Sequence, residues 1–264
     1  MNRLDVVNVE NVKDINFDRP YQSANCLFHF VKKLEFIKKI LQEKCLKPWY
    51  VKEDVKYLGL EELKDIYIPM KCFCDINLHK LEKHIEFYGN YGIAFSKNWG
   101  VNQKIQPLIY VNEKSFLIEE YKNCLNRNMK AEANNIDVYP LVQLMYIKPL
   151  TGMQKNQNGD VKHKFFTDEC EWRYIFDMEK INGEYRQIYT GHNVSNLDLI
   201  NESLQEINTS TLNFGYNDIK YIIVKTEDDF IEVQQLIEQF DLNKIDKYKL
   251  VSKLIIWDES MGDF

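Results

Sequence analysis

Asp168-Glu169-Cys170-Glu171-Trp172-Arg173-Tyr174-Ile175 is the stretch on which the reading of this chain turns. On an extended strand, residues two apart share a face, so Glu169, Glu171 and Arg173 point one way while Cys170, Trp172 and Tyr174 face the other. Two carboxylates and a guanidinium fill a core badly, because charged side chains are seldom fully buried unless paired. Two readings stand side by side. Glu169 or Glu171 pairs with Arg173 on a solvated face, an arrangement of small energetic value, or the strand carries a polar site with a glutamate set for chemistry.

Working outward, the segment just upstream, residues 151–164, reads as a polar loop with two glycines, several Lys and His, and no apolar periodicity. Further upstream, Cys26-Leu27-Phe28-His29-Phe30 suits a buried strand interrupted by one histidine. The spacing of Val31, Leu34, Ile37 and Leu41 predicts a helix over about 31–45, stopped by Pro48. Residues 68–74 form a second strand, entered through Pro69 and closed by Asp75-Ile76-Asn77. Asn77 is placed to cap a helix over 78–87, with Leu78, Leu81 and Ile85 inward and Gly89-Asn90 at its end. Strands follow at 91–96 and 107–111. A long helix is expected over about 113–133 with Phe116, Ile118, Tyr121, Leu125 and Met129 facing the core. The apolar run 139–147 is read as helix. The last third carries strands at 185–190, 219–225 and 254–257, and a helix opened by Thr226 with Asp229 three residues on.

Strands and helices mix without a steady βαβ rhythm, so the fold class is α+β: one compact domain, 23–264, with a mixed or antiparallel sheet and several helices. Residues 1–22, which carry mixed charge and turn residues, are expected to form an arm laid over it. The chain has 264 residues, 45% of them apolar, with 34 basic against 40 acidic side chains and a formal net charge of −6. That balance argues against a dominating nucleic-acid footprint; a nucleic-acid regulator using Lys155, Lys162 and Lys164 ranks last. The acidic, polar N-terminus lacks an apolar signal core, and no apolar run nears the roughly 20 residues that span a bilayer. The six scattered cysteines then read as reduced thiols of a cytoplasmic protein.

Among chemical motifs, Cys72-x-Cys74 with His79 and His84 has zinc-ligand types but not the usual spacing. Core cysteines and surface histidines explain these residues more simply, and no metal site is expected. There is no phosphate-binding P-loop, no dinucleotide fingerprint and no nucleophile elbow. His29, most often the reading of a hydrogen-bonded core histidine, joins Tyr91, Ser96 and Glu171 as a set of polar residues on four expected strands. Such a set can hold a nicotinamide dinucleotide without a glycine-rich loop, the glutamate stabilising an oxocarbenium-like transition state. Arg173 beside it would keep the carboxylate ionised.

Several segments resemble, in the same order, the AbiGi family of bacterial abortive phage-infection proteins. They are Phe28-His29-Phe30 with the helix that follows, Ile68-Pro69-Met70-Lys71-Cys72-Phe73-Cys74-Asp75-Ile76, the run from Tyr88 through Ser96-Lys97-Asn98-Trp99 to Gly100, Pro107-Leu108-Ile109-Tyr110, and Glu169-Cys170-Glu171-Trp172-Arg173-Tyr174. The likeness covers about residues 27–177 and continues more weakly to Val224, a core of about 27–225. It implies phage defence, as the antitoxin-like partner of a nucleotidyltransferase-like toxin. The order of His29 and the Glu-x-Glu strand also resembles that of ADP-ribosyltransferase-like folds. Carried over, that likeness implies NAD as cofactor and a macromolecule as the substrate modified. His29 would contact the adenosine-side ribose, Tyr91 (or Tyr88) would stack on nicotinamide, and Glu171 would be catalytic, with Glu169 two residues before it. The Ser-Thr-Ser element of one transferase subclass is absent, and an inactivated scaffold that only binds a partner would keep the same pattern.

Overall fold

The alternation of ring and charge builds a sheet whose two faces serve different ends. In the computed structural model of the chain, residues 22–61, 63–132, 135–181, 185–191 and 196–260 are described; the expected N-terminal arm, residue 22 apart, lies outside them. In chain order, β1 (Cys26–Val31) leads into α1 (Leu34–Glu43), β2 (Cys45–Leu46), β3 (Tyr50–Asp54) and the long β4 (Asp65–Cys74). Then come α2 (Glu82–Tyr88), β5 (Tyr91–Ser96), α3 (Lys97–Asn102), β6 (Gln106–Pro107), β7 (Ile109–Val111), α4 (Phe116–Met129) and α5 (Val138–Leu144). β8 (Ile147–Pro149) precedes a hairpin of β9 (Thr151–Lys155) and β10 (Val161–Phe165), which delivers into β11 (Glu171–Ile175). The remainder is β12 (Tyr189–Thr190), α6 (Leu197–Gln205), β13 (Leu212–Asn213), β14 (Ile219–Val224), α7 (Glu227–Glu238), α8 (Lys244–Val251), β15 (Leu254–Ile256) and α9 (Trp257–Ser260).

The main sheet runs β15-β14-β5-β1-β4-β11-β6. Its neighbours are antiparallel except for β14 and β15, which are parallel. This is the mixed-sheet α+β domain expected. β4 organises it. Along one edge its first half pairs with β3, from Tyr50 opposite Pro69 to Asp54 opposite Asp65. At the far end of that same edge Cys74 pairs with Phe28 of β1. Between these two pairings β1 and β3 part, and the sheet forks. The carbonyl of Cys72, which falls in the gap, is met by the Nδ1 of His29 at 2.9 Å. A side chain thus takes the place of a missing ladder bond, as a buried carbonyl requires.

Alternation along β4 then divides the interior. Ile66, Ile68 and Met70 enter an apolar core with Ile118, Tyr121 and Leu125 of α4. Cys74 enters another with Phe28, Ile85 and Trp257. Phe73, on the other face, joins the largest core, where Leu34, Ile37 and Leu41 of α1 and Val233 and Ile237 of α7 are buried. Between the first two cores, on their shared face, Glu171 stands opposite Cys74 and Arg173 opposite Cys72.

The helices follow their caps. Ser115 accepts a hydrogen bond from the Ile118 N–H at 3.4 Å and opens α4, and Thr226 and Asp229 form the expected reciprocal capping box of α7. Gly89 closes α2 with φ +145°, and a Cβ there would meet the Val31 carbonyl oxygen at 2.3 Å, so only glycine fits.

Several expectations are corrected. Asn77 does not cap a continuous helix: its amide donates to the Gln22 carbonyl at 3.0 Å, residues 78–80 form a 3₁₀ turn, and α2 begins at Glu82. Phe116, 75% exposed, and Met129 lie outside the core of α4. The 139–147 run is helix only to Leu144, and Ile147 already belongs to β8. Residues 151–164, expected to be a loop, are almost wholly a hairpin. Its turn is made by Asn156, whose side-chain oxygen accepts from the N–H groups of Asn158 and Asp160 at 3.0 and 2.8 Å, with Gly159 at φ +94°.

Candidate functional site

The hairpin sends the chain out from β8 and back to β11, so that Lys148, Lys164, Glu169 and Glu171 converge. Glu169 is not on the strand. It ends a 3₁₀ turn, and Cys170 then adopts a left-handed conformation at φ 43° before β11 starts at Glu171. That reversal lets both carboxylates reach one ammonium: Lys148 Nζ lies 2.9 Å from Glu169 Oε2 and 2.8 Å from Glu171 Oε2. Arg173 clasps the other side of Glu171, with Nε 2.7 Å from Oε1. Its Nη2 reaches Glu53 Oε1 at 2.9 Å, and its Nη1 donates to the Met145 carbonyl at 3.0 Å. Lys164, from the inner face of the hairpin, bonds Glu169 Oε1, and the Tyr88 hydroxyl donates to the same oxygen.

All of this is interior. Arg173 is wholly inaccessible, at 0% exposure, and Glu169, Glu171 and Lys148 are buried. The solvated-face reading of the Glu-x-Glu-x-Arg stretch is therefore overturned. Three carboxylates (Glu53, Glu169, Glu171) meet three cations (Lys148, Lys164, Arg173), so the cluster carries its own neutrality. Burial alone would raise the Glu171 pKa, but Arg173 and then Lys148 hold it well below the ordinary carboxylate range. Burial would likewise lower Lys148, but Glu171 first among its acidic neighbours holds its pKa up. Burial, then Glu169, keeps the Tyr88 phenol protonated and so able to donate.

The fork in the sheet opens a cleft of about 250 Å³ onto this cluster, lined among others by His29, Lys71, Tyr88, Glu169 and Glu171. The structure thus brings His29, Glu169 and Glu171 to one cavity. Arg173 stands behind them, out of reach of the cleft. Tyr91 and Ser96 lie elsewhere. The Tyr91 hydroxyl is 3.4 Å from Asp229 Oδ2 beside α7, and Ser96 caps α3 by accepting from the Trp99 N–H at 3.2 Å. Tyr88 takes the place in the cleft expected of Tyr91. His84, expected on the surface, packs against Tyr88 with ring centres 4.5 Å apart. Among the described residues no group of three or more His, Cys, Asp or Glu side chains is placed to hold a metal ion.

Sequence reasoning missed Lys148, Lys164 as an inward residue, and Glu53. Lys148 did leave a signal: it is a lone cation among apolar neighbours in Tyr146-Ile147-Lys148-Pro149-Leu150.

A family model described as "Putative abortive phage resistance protein AbiGi, antitoxin" matches residues 34–225, most of the chain. The chain belongs to the AbiGi family. It is 31% identical over 249 residues to the abortive phage resistance protein AbiGi of Lactococcus lactis subsp. cremoris, across 82% of this chain and 98% of that protein. No solved structure matches it. The AbiGi match takes in β3 and β4, the hairpin and the whole ionic cluster. Among the described residues no helix is long and apolar enough to cross a membrane.

Two outcomes follow from the geometry. Replacing Lys148 with Met leaves Glu169 and Glu171 buried beside too little positive charge, which costs about 3–5 kcal/mol. The same change at Lys180, in an exposed pair with Asp177, leaves stability nearly unchanged. Urea unfolding at pH 7 measures both, and equal losses would contradict the account. Second, burial holds the pKa values of His29 and His84 down at about 4, whereas an unfolded histidine titrates near 6.5. Both rings are neutral in the folded protein, so the stability they allow is complete above about pH 6.5 and is lost as pH falls toward about 4. Between pH 6.5 and 5, where most carboxylates stay ionised, unfolding takes up protons, and each histidine costs up to about 1.4 kcal/mol per pH unit. The urea midpoint should fall across that window and stay nearly flat in the His29→Asn/His84→Asn protein.

Proposed function

We propose that this AbiGi protein is the antitoxin of a toxin–antitoxin pair in abortive phage resistance, and that it restrains its toxin by direct protein contact rather than by catalysis. The observation that carries this reading is the state of Glu171. Both of its oxygens are already engaged, one by Arg173 and the other by Lys148, inside a neutral network. Such a carboxylate organises the fold and has no free oxygen to offer a substrate. The family description as an antitoxin supports the same reading.

The hairpin over the cluster offers a contact surface. Its inner face is polar, with Lys164 and Gln154 turned toward Tyr88 and Glu169. Its outer face carries Met153, Val161 and Phe165, each more than half exposed. This inverts the usual pattern of a sheet with one wet face, and an exposed apolar patch that shares its face with Lys155 and His163 is characteristic of a protein-binding surface.

A second reading, an NAD-consuming ADP-ribosyltransferase, has one observation in its favour: His29 and Glu171 line the same cleft. In it Tyr88 rather than Tyr91 would stack on nicotinamide, and Glu171 would have to exchange Lys148 for the ribosyl cation.

Co-expression with the product of the neighbouring toxin gene tests the first reading. The wild type should suppress growth arrest and co-purify with the toxin, and a Met153→Asp/Phe165→Asp protein of unchanged fold should lose both. Failure of the wild type to do either would end the antitoxin reading. Nicotinamide release from labelled NAD in cell extract, lost in Glu171→Gln, would establish the second.

A further inference from the structure

The cleft over the ionic cluster does not end at the fork. On the α1 side it continues into a second lobe of about 440 Å³, and His29, Phe30, Trp49, Val51, Lys71 and Tyr88 line both. The walls of the second lobe are mostly apolar, with Val31, Ile40 and Leu46 among them, and Phe36 and Trp49 hold their rings exposed there. Size and composition match pockets that enclose small molecules.

Charge within this pocket is uneven in one respect. Its lysines are engaged, with one exception. Lys148 is held by Glu169 and Glu171, Lys52 by Asp65 at 3.1 Å, and Lys39 and Lys47 by Glu43 at 3.8 and 3.4 Å. Lys32 donates to the Gln157 carbonyl at 3.3 Å. Lys71 has neither an ion-pair nor a hydrogen-bond partner among the described residues. It projects from β4 on the face of Phe73, opposite to the glutamates, at the waist the two lobes share. Burial lowers its pKa to about 8, which is what a desolvated ammonium without a counter-ion does. His29 beside it is neutral at physiological pH and supplies no compensating charge.

We propose that this two-lobed pocket binds a small apolar molecule bearing one carboxylate, with the carboxylate on Lys71 and the apolar body in the lobe between α1 and the sheet. A single free cation suits a single negative charge. A polyphosphate would call for several uncommitted cations or a glycine-rich cradle; the other lysines of the pocket are already engaged, and no glycine lines it. The ligand's carboxylate completes the ion pair that Lys71 lacks, so binding and the charge state of Lys71 are linked. This inference is independent of the antitoxin reading.

The test uses the full chain and two probes of nearly equal shape, naphthalene-1-acetate and its neutral amide, followed by calorimetry and by fluorescence from Trp49 in the pocket wall. The acetate should bind one to one, and the amide at least about tenfold more weakly. Affinity for the acetate should fall above about pH 8 as the ammonium deprotonates. In Lys71→Met the two probes should bind alike. That variant removes a cation with no partner and so leaves no group orphaned, and the comparison of probes in the wild type needs no variant at all. Equal affinity of the two probes for the wild type, an unchanged preference in Lys71→Met, or no saturable binding of the acetate by about 1 mM would overturn the proposal.

Discussion

The rest of the molecule depends on a buried, self-neutralising ion cluster set between two apolar cores on one face of a sheet. Lys148 spans Glu169 and Glu171, and Arg173 spans Glu171 and Glu53. Removing such charges from water costs several kcal/mol each, which is recovered only when every partner is in place. The cluster is therefore weak evidence of stability, and what it constrains is register. β8, β11, the hairpin and β3 each deliver a member, and no one of them can shift register without stranding a charge.

The fork and the cluster are two sides of one arrangement. β4 gives its first half to β3 and its last residue to β1. In the gap His29 caps the Cys72 carbonyl, and the opening that results admits solvent-sized space to the glutamates. A second buried pair, Lys97 and Asp75 at 2.7 Å, fixes the end of β4, where Asp75 also accepts the Ala24 N–H at 2.8 Å. The cleft is thus a by-product of strand pairing, and its polar residues on the cluster side are committed to one another. On the antitoxin reading proposed above, that commitment makes a constellation resembling an NAD site a scaffold. What remains uncommitted is the apolar outer face of the hairpin and Lys71, the lysine of the pocket without a partner among the described residues.

Much of this was legible in the residues. Leu34, Ile37 and Leu41 announced α1, Thr226 with Asp229 announced α7, and the alternation around Trp172 announced a strand with all its charge on one side. The hairpin was not, because its alternation is inverted: Met153, Val161 and Phe165 face outward and Gln154 and Lys164 inward, so periodicity and composition both read as loop. The convergence of Glu169 with Glu171 was expected for a wrong reason, a shared strand face. It comes instead from the left-handed turn at Cys170. Lys148 is separated from Glu171 by the whole hairpin, and nothing local in a sequence pairs residues across such an excursion. Tyr91 and Tyr88 are equivalent in composition, and only the end of α2 at Gly89 decides that Tyr88 turns into the cleft.

The most direct test of the central claim is a carbon-13 NMR titration of the glutamate side-chain carboxyls in the folded protein. If Glu171 is locked between Arg173 and Lys148, its carboxyl resonance stays at the ionised position from pH 7 down to the onset of acid unfolding. A midpoint in the folded state near or above the ordinary glutamate value of about 4.3 would show a carboxylate free of that network, and would contradict the account.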